Sequence, residues 1–306
     1  MNTIKFMKSN KPAKLGKPRL LIVGCGDIGM RLLPLVRDRF RVFAVTSQPA
    51  RRAELRAAGA VPIVADLDRP ATLRRLSGLA PWVVHLAPPP QQGDLDTRTR
   101  HLTAILPEGA QVLYVSTTGV YGDRGGQLTP ESTPVAPRSA RAGRRVDAEQ
   151  VLRAWGVMAG GRVTILRAPG IYAADRLPIE RLQRGTPALA HGEDVYTNHI
   201  HADDLARLVA LALLRGLPGR TYNAVDDTRM KMGEYFDLVA DAFALPRPPR
   251  LPRAELERVV SPMLLSFMSE SRRLVNTRMK RELRMRLRYP GVEEAVAVMR
   301  AAAADK

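Results

Sequence analysis

The sequence predicts an α/β fold, a doubly wound parallel sheet with a smaller C-terminal α/β cap, and three observations predict it. Short apolar runs alternate with segments of helical period from residue 20 to residue 166. A glycine-rich string stands directly between the first apolar run and the first helical segment. Beyond Leu166 the alternation loosens into helical stretches and proline-rich loops.

In chain order, buried strands are predicted at Leu20–Val23, Val42–Val45, Val61–Val64, Trp82–Leu86, Val112–Val115 and Val163–Leu166, all short and rich in apolar residues. Between them, Ile28–Val36, Pro49–Ala58, Pro70–Leu76, Leu95–Leu106 and Arg141–Trp155 carry helical spacing, with Asp68 as an N-cap ahead of Pro70 and Gly59 as a helix stop. Strands that alternate with helices are joined by crossovers, and crossovers make neighbouring strands parallel. Past Leu166, Ala202–Leu214 places Leu205, Leu208, Val209, Ala212 and Leu213 on one helical stripe, and Tyr222–Val225 reads as one more strand. Helical stretches at Met232–Phe243, Ala254–Leu265 and Asn276–Leu283 follow, around the proline-rich Leu245–Pro252. The organisation expected is a basic flexible leader over residues 1–18 and a sheet domain over 19–169, to which 199–226 returns. Residues 170–198 and 227–306 are expected to form the cap.

The chain has 306 residues, 45% of them hydrophobic, which is enough to bury one large core or two unequal ones. It contains no run of about 18 apolar residues, and the first 18 residues lack the apolar centre of a secretory signal, so a cytoplasmic protein with no membrane partner is expected. The single cysteine, Cys25, excludes an internal disulfide and a cysteine-rich metal centre. A formal charge of +18 would suit nucleic acid, but the arginines are scattered along alanine- and leucine-rich helices rather than gathered into a block interleaved with aromatics. The expected partner is therefore a small-molecule substrate, and a homo-oligomer is compatible with this composition.

The string from Leu20 to Gly29 reads G-x-G-x-x-G at Gly24, Gly26 and Gly29, directly after a predicted strand and directly before a helix. In that setting the pattern predicts a Rossmann-type dinucleotide site. Gly24 permits the tight turn, Gly26 lets the backbone approach a pyrophosphate, and Gly29 lets the helix pack on the strand. Asp27 and Ile28 then belong to the helix start, whose amides and positive dipole end attract phosphate. Sites for NAD(H) carry an acid at the end of the second strand, and here Thr46 stands in its place. Ser47, Arg51 and Arg52 follow and suit a 2′-phosphate, so NADP(H) is favoured over NAD(H). Asp66, next to Leu67 after the third strand, suits either the adenine amino group or a turn.

Two later strings carry a resemblance. His85-Leu86-Ala87 ends the fourth strand, and Ser116-Thr117-Thr118-Gly119-Val120-Tyr121-Gly122-Asp123 ends the fifth. Together with Arg167–Tyr172, His199–Asp204, Tyr222-Asn223 and Ser271–Arg273, they resemble the extended short-chain dehydrogenase/reductases, specifically the NAD(P)-dependent epimerase/dehydratases, from Arg19 to about Val296. The resemblance implies that Leu86, Ala87 and Ser116 line the cofactor and that Thr117 donates to the reacting oxygen of the substrate, where a hydroxyl stabilises developing charge. It also implies a tyrosine four residues ahead of a lysine as the acid/base pair. Counting back from the helix that carries Glu149 and Gln150 places those positions near Arg141 and Arg145. Arginine stays protonated, so Arg141 cannot transfer a proton, whereas Arg145 can still hold a ribose hydroxyl. In this respect the chain resembles the atypical members that lose the tyrosine.

Tyr121, Tyr172, Tyr196, His199 and His201 are the candidates for a replacement acid/base, with packing and helix anchoring as the alternative. Asp203 and Asp204 fit a helix N-terminus, not a metal pair, and no metal is expected. Arg176, Arg181, Arg272 and Arg273 in the cap are candidates for a substrate diphosphate. The function expected is an NADP(H)-binding oxidoreductase or epimerase/dehydratase-like enzyme acting on a carbonyl or hydroxyl substrate, a nucleotide sugar being the commonest that the resemblance implies. The alternative is a non-catalytic NADP(H) sensor or regulator.

Overall fold

A computed structural model describes residues 16–261, 264–265 and 268–304. Most of the expected basic leader lies outside the described residues. The first five strands are β1 (Arg19–Val23), β2 (Arg41–Thr46), β3 (Val61–Val64), β4 (Trp82–His85) and β5 (Gln111–Thr117). They are followed by β6 (Leu128–Thr129), β7 (Arg162–Ala168), β8 (Gly170–Tyr172), β9 (Ala188–Leu189), β10 (His199–His201), β11 (Thr221–Asn223), β12 (Arg250–Leu251) and β13 (Arg273–Leu274). Seven of them form one sheet in the order β11-β7-β5-β4-β1-β2-β3, and every neighbouring pair is parallel. The chain reverses direction across the sheet between β1 and β4, and at such a switch point the strand ends leave a crevice for ligand.

Helices cover both faces because the strands are apolar on both sides. One face is packed by α1 (Asp27–Val36) and α6 (Ala202–Arg215), through Leu32, Leu33, Leu205, Leu208, Val209 and Leu213. The opposite face takes Leu102 of α3 (Thr97–Thr103) and Leu152 and Trp155 of α4 (Ala140–Met158), with Leu73 and Leu76 beside them. The remaining helices are α2 (Arg52–Ala57), α5 (Ile179–Gln183), α7 (Met232–Ala242), α8 (Arg253–Val259), α9 (Thr277–Glu282) and α10 (Val292–Ala304). A separate core joins Tyr172 and Leu182 to Tyr235, Phe236 and Val239 of α7 and to Val292 and Val296 of α10, and this is the smaller C-terminal α/β part.

The structure corrects several expected elements. Pro70–Leu76 is a 3-10 helix, and Asp68 does not cap it because its carboxylate is taken by Arg98 at 2.8 and 2.6 Å. The stretch expected at Leu95–Leu106 is helical only over Thr97–Thr103, because Asp96 accepts from the Thr99 amide at 3.1 Å and fixes the start there. Pro49–Arg51 is 3-10 before α2 begins at Arg52. The helix expected over Ala254–Leu265 is helical over Arg253–Val259, and part of the remainder lies outside the described residues. The strand expected at Tyr222–Val225 spans Thr221–Asn223.

Asp226 follows β11 at 5% exposure, with Oδ1 accepting from the Thr228 amide at 3.0 Å and Oδ2 without a partner. Burial pushes its carboxyl from 3.8 up to about 7. The sign follows from linkage. Between those values the unfolded chain releases the proton and the folded chain keeps it, so the folded state loses stability as the pH rises. Asp226→Asn keeps the acceptor for the Thr228 amide and removes the group that titrates. The expected result is a variant equal to the wild type near pH 4 and more stable by on the order of 4 kcal/mol near pH 8, read by denaturant melts at both values. A pH-independent difference would show that the carboxyl is not held neutral.

Candidate active site

The cleft opens at the C-terminal ends of β1, β4 and β5 and is bounded on the cap side by residues 168–176. Each glycine of the motif meets a different constraint. Gly24 has φ +81°, and a Cβ there would sit 2.6 Å from the Ala87 backbone. A Cβ on Gly29 would sit 2.8 Å from the Cys25 Sγ, where α1 rests on β1. Gly26 has an ordinary φ of −83°, and a Cβ there would meet open space. It also stands at the N-cap of α1, which no side chain caps. Gly26, Asp27, Ile28 and Gly29 therefore face the cleft with helix-start amides and the positive end of the α1 dipole. An anion is the partner these groups suit.

Across the cleft, β5 ends at Ser116 and Thr117, and both line it. The Ser116 Oγ is buried and has no hydrogen-bond partner. Thr117 Oγ1 accepts from the Gly119 amide at 3.3 Å, which occupies one of its two lone pairs and leaves its proton to donate. Leu86 lines the cleft, and its amide donates to the Val23 carbonyl at 2.8 Å. Ala87 is pressed beneath Gly24. Arg141 and Arg145, one turn apart on α4, both line the cleft. Arg145 donates from Nη1 to the Tyr114 hydroxyl at 2.9 Å and the Val115 carbonyl at 3.0 Å.

Arg176 reaches over from the cap and pairs with Asp27 at 2.9 Å, and Arg31 joins the same carboxylate at 2.8 Å. Arg31 also pairs with Asp203 at 2.5 Å, so a network of ions ties the cap to the start of α1. Of the four cap arginines expected near a diphosphate, Arg176 alone lines this cleft. The guanidinium of Arg181 lies over Phe236 at 4.4 Å, Arg272 donates to the Gly122 carbonyl at 2.6 Å, and Arg273 donates to the Gly126 carbonyl at 2.7 Å. Arg181 thus packs on a cap ring, and Arg272 and Arg273 hold the backbone of the loop after β5. Arg176, Ala168, Pro169, Ile171 and Leu205 lie far from the glycine motif in sequence, and only the fold brings them to it.

At the far end of the motif, Thr46 is buried and accepts from the Gln48 amide at 3.1 Å. Ser47 and Arg52 are exposed. Arg51 is not free for a phosphate: its fork binds Glu54 at 2.8 Å twice, and Nη1 donates to the Cys25 carbonyl at 2.6 Å. It braces the glycine loop from below. Asp66 accepts from the Asp68 amide at 3.0 Å, which is the turn alternative, and Leu67 is buried beside it.

The expected acid/base replacements do not line the cleft. Tyr121 is fully buried, donates to Asn223 Oδ1 at 2.8 Å and lies beneath the Arg167 guanidinium, so it is withdrawn as a candidate. Tyr172 is buried in the cap core, and Tyr196 lies under Arg273. His201 accepts from the Asp203 amide at 3.1 Å as the N-cap of α6, and burial pushes the His199 imidazole down to about 4. Asp204, fully buried, accepts from the Arg288 and Tyr289 amides at 2.8 Å and pins the C-terminal segment to α6, a role the sequence did not signal. Among the described residues no group of three or more His, Cys, Asp or Glu converges as a metal site, and no helix is long and apolar enough to cross a membrane.

Comparison with known proteins adds to this geometry. The human dTDP-D-glucose 4,6-dehydratase is 29% identical over 119 residues, 36% of this chain and 34% of that one, and the bovine enzyme of the same name matches equally. The aligned part is thus about a third of those relatives' length. Among solved structures, a conserved protein of unknown function from Silicibacter pomeroyi superposes with a TM-score of 0.74 at 27% identity, over 94% of this chain and 99% of that one. The UDP-glucose 4-epimerase of Thermotoga maritima, determined with UDP-glucose, has a TM-score of 0.74 at 18% identity over 94% and 99% of the two chains. A dTDP-glucose 4,6-dehydratase from Streptomyces venezuelae, determined with NAD and TYD bound, has a TM-score of 0.74 at 20% identity over 94% and 97%. At that identity the last two likenesses show the fold. Residues 20–224 match the NAD dependent epimerase/dehydratase family, and this chain belongs to it.

Proposed function

We propose that the protein is an NADP(H)-binding oxidoreductase or epimerase/dehydratase-like enzyme acting on a carbonyl or hydroxyl substrate of the nucleotide-sugar class. The observation that carries this reading is one cleft in which the uncapped start of α1 faces Ser116 and Thr117 at the end of β5. The glycine loop fits a dinucleotide: Gly26 leaves room above it, and the unpartnered Ser116 hydroxyl supplies a buried donor. Gly24, Gly26, Asp27, Ile28 and Gly29 hold the pyrophosphate end, Leu86, Ala87 and Ser116 line the nicotinamide end, and Asp66 and Leu67 flank the adenine. When bound, the dinucleotide supplies or accepts the hydride. Thr117 donates its hydroxyl proton to the substrate oxygen, and Arg145, fixed by Tyr114 and Val115, orients the ribose. The segments 170–198 and 227–306 close the substrate side.

The preference for NADP(H) rests on the uncharged end of β2, since no carboxylate stands at Thr46 to repel a 2′-phosphate. Because Arg51 is held by Glu54, Ser47 and Arg52 carry that preference. NADPH is expected to bind about tenfold more tightly than NADH by fluorescence titration, and the double variant Ser47→Ala, Arg52→Ala to bring the two together. Tighter NADH binding by the wild type would overturn the assignment. Turnover is then read as loss of NADPH absorbance with a panel of carbonyl compounds and nucleotide sugars.

A specific observation favours the second reading, a sensor without turnover. Among the described residues that line the cleft there is no tyrosine, histidine or glutamate, and the one aspartate, Asp27, is tied to Arg31 and Arg176. Tight NADPH binding without hydride transfer across the whole panel selects it.

A further inference from the structure

We propose that the depression at the N-terminal ends of β1, β2 and β3 is a second ligand site, one that takes a compact anion carrying two or more phosphate groups. It goes beyond the function proposed above and borrows no residue from it. Arg19 opens β1 and Gly24 follows its end, so the depression and the cleft are separated by the length of that strand, roughly 16 Å.

The depression has a volume of about 580 Å³ and is lined by Lys17, Arg19, Arg37 and Arg41 and by the buried Phe40 and Val42. No acidic side chain among the described residues lines it. The partners of the four cations are neutral. Lys17 Nζ donates to the Arg37 carbonyl at 3.0 Å, the Arg19 guanidinium reaches the Leu79 carbonyl at 3.5 Å, and that of Arg41 lies 5.5 Å from the Phe43 ring. Arg37 crosses the loop at Gly59, where a Cβ would stand 3.4 Å from its Cδ. Among the described residues no carboxylate pairs with any of the four. The chain that leads into Gly16 at the rim carries Lys5, Lys8, Lys11 and Lys14 and, over residues 1–15, no Asp or Glu. Elsewhere Arg31, Arg98, Arg167 and Arg250 each hold a carboxylate, so the unbalanced charge belongs to this place and not to the basic composition at large.

Part of that charge answers the negative ends of α1 and α2, which close at Val36 and Ala57 beside Arg37 and Gly59. A helix end carries only about half a charge, so the two ends together offset about one of the four cations. About three remain. One phosphate group carries about 1.5 to 2 negative charges near neutral pH, and the balance therefore calls for at least two. All four cations are exposed, and screening within about 8 Å at physiological salt keeps any one of them from holding a ligand alone. Their convergence from three chain segments supplies what a single contact lacks. Guanidinium groups suit phosphate because their paired donors match its oxygens. The concave shape favours a small ligand, since pockets of about 300–1,000 Å³ enclose one, whereas a nucleic acid offers its phosphates along a track.

The test is calorimetric titration of the full chain with tripolyphosphate, pyrophosphate and orthophosphate, in metal-free buffer at about 50 mM salt and with saturating NADPH in the cleft. Tripolyphosphate is expected to bind below about 1 mM and most tightly of the three, with orthophosphate weakest. The double variant Arg37→Gln, Arg41→Gln is expected to weaken it at least about tenfold while NADPH affinity stays within about twofold. A control pair with the same loss of charge, Arg258→Gln, Arg300→Gln, replaces exposed arginines of the C-terminal part and is expected to bind tripolyphosphate as the wild type does. Thermal melts check folding, and Lys17→Gln, Arg41→Gln gives the same reading should the first pair not fold. No binding below about 1 mM, or equal weakening by the two pairs, overturns the proposal, the latter by assigning the effect to net charge. Binding that disappears when NADPH is present overturns it too, for the anion then occupies the glycine loop. So does a duplex of about 20 base pairs that binds more tightly than tripolyphosphate at about 150 mM salt and is lost in the Arg37, Arg41 variant, which identifies a nucleic-acid backbone as the occupant. Failure of NADPH to bind the wild type would sink the function proposed above, and the comparison of the variant pairs would still decide this site.

Discussion

Gly24→Ala is expected to lower the stability of the protein by about 3 kcal/mol or more and to abolish dinucleotide binding, whereas Gly26→Ala leaves stability within about 0.5 kcal/mol and loses binding alone. The two glycines are separated by one residue and do different physical work. Gly24 sits at φ +81°, where a side chain costs about 1–2 kcal/mol before any contact is counted. A Cβ there would also stand 2.6 Å from both N and Cα of Ala87. Neither atom can yield without moving the end of β4, because the Leu86 and Ala87 amides are both bonded to the Val23 carbonyl, at 2.8 and 3.1 Å. Gly26 has φ −83° and open space around its Cβ position, so alanine fits the folded chain. Its methyl would occupy the approach to the helix-start amides that a pyrophosphate needs. Thermal melts beside NADPH titrations read both effects. Equal stability of the two variants would refute the assignment of the Gly24 constraint to β4.

This contrast shows which parts of the molecule can be read without coordinates. The strands of the central sheet are short apolar runs, and their parallel order follows from the helices between them, so fold class and glycine loop were legible in local pattern. The ends of elements were less so. Asp68 has the chemistry of a cap, and what removes it from that role is Arg98, thirty positions away. The same reason explains Arg51, whose neighbour Glu54 takes the fork that composition alone would give to a phosphate. Tyr121 follows a strand end that leads to the cleft, yet the turn at Thr118–Tyr121 carries its ring inward to Asn223. Arg176 could be suspected of meeting an anion, but its place over Asp27 depends on how the cap docks on α1. Side-chain direction and the pairing of distant charges are tertiary properties. A sequence heavy in arginine leaves many pairings open, and burial chooses among them.

The largest loss of stability is expected from Glu149→Gln, about 3–5 kcal/mol, and for a reason that separates pairing from charge. Glu149 on α4 and Arg167 on β7 have side chains only 5% and 6% exposed, and the guanidinium binds the carboxylate through two contacts of 3.0 and 2.6 Å. Burial acts to lower the Arg167 pKa, and the Glu149 hydrogen bonds and charge more than offset this, so the guanidinium is held charged above its usual range. Removing the carboxylate charge leaves that cation in a dry interior with one nitrogen, Nη1, already unpartnered. The damage should spread along a defined path. The Arg167 guanidinium lies 4.7 Å from the Tyr121 ring, Tyr121 donates to Asn223, and Asn223 in turn donates to the Thr129 and Val275 carbonyls at 3.1 Å. These links hold the turn after β5, and with it Thr117, to β11 and the segment beside β13. The decisive comparison is the double variant Glu149→Leu, Arg167→Met. If the pair matters because each charge would be stranded without the other, the apolar double variant should recover most of the stability lost by Glu149→Gln, since well-packed apolar side chains replace a buried ion pair at little or no cost. If the double variant melts as low as the single one, the fold depends on the hydrogen-bonded geometry around Arg167 and Tyr121, not on neutralising a buried charge. Chemical denaturation of the wild type and both variants, with NADPH affinity measured on each, decides between the two.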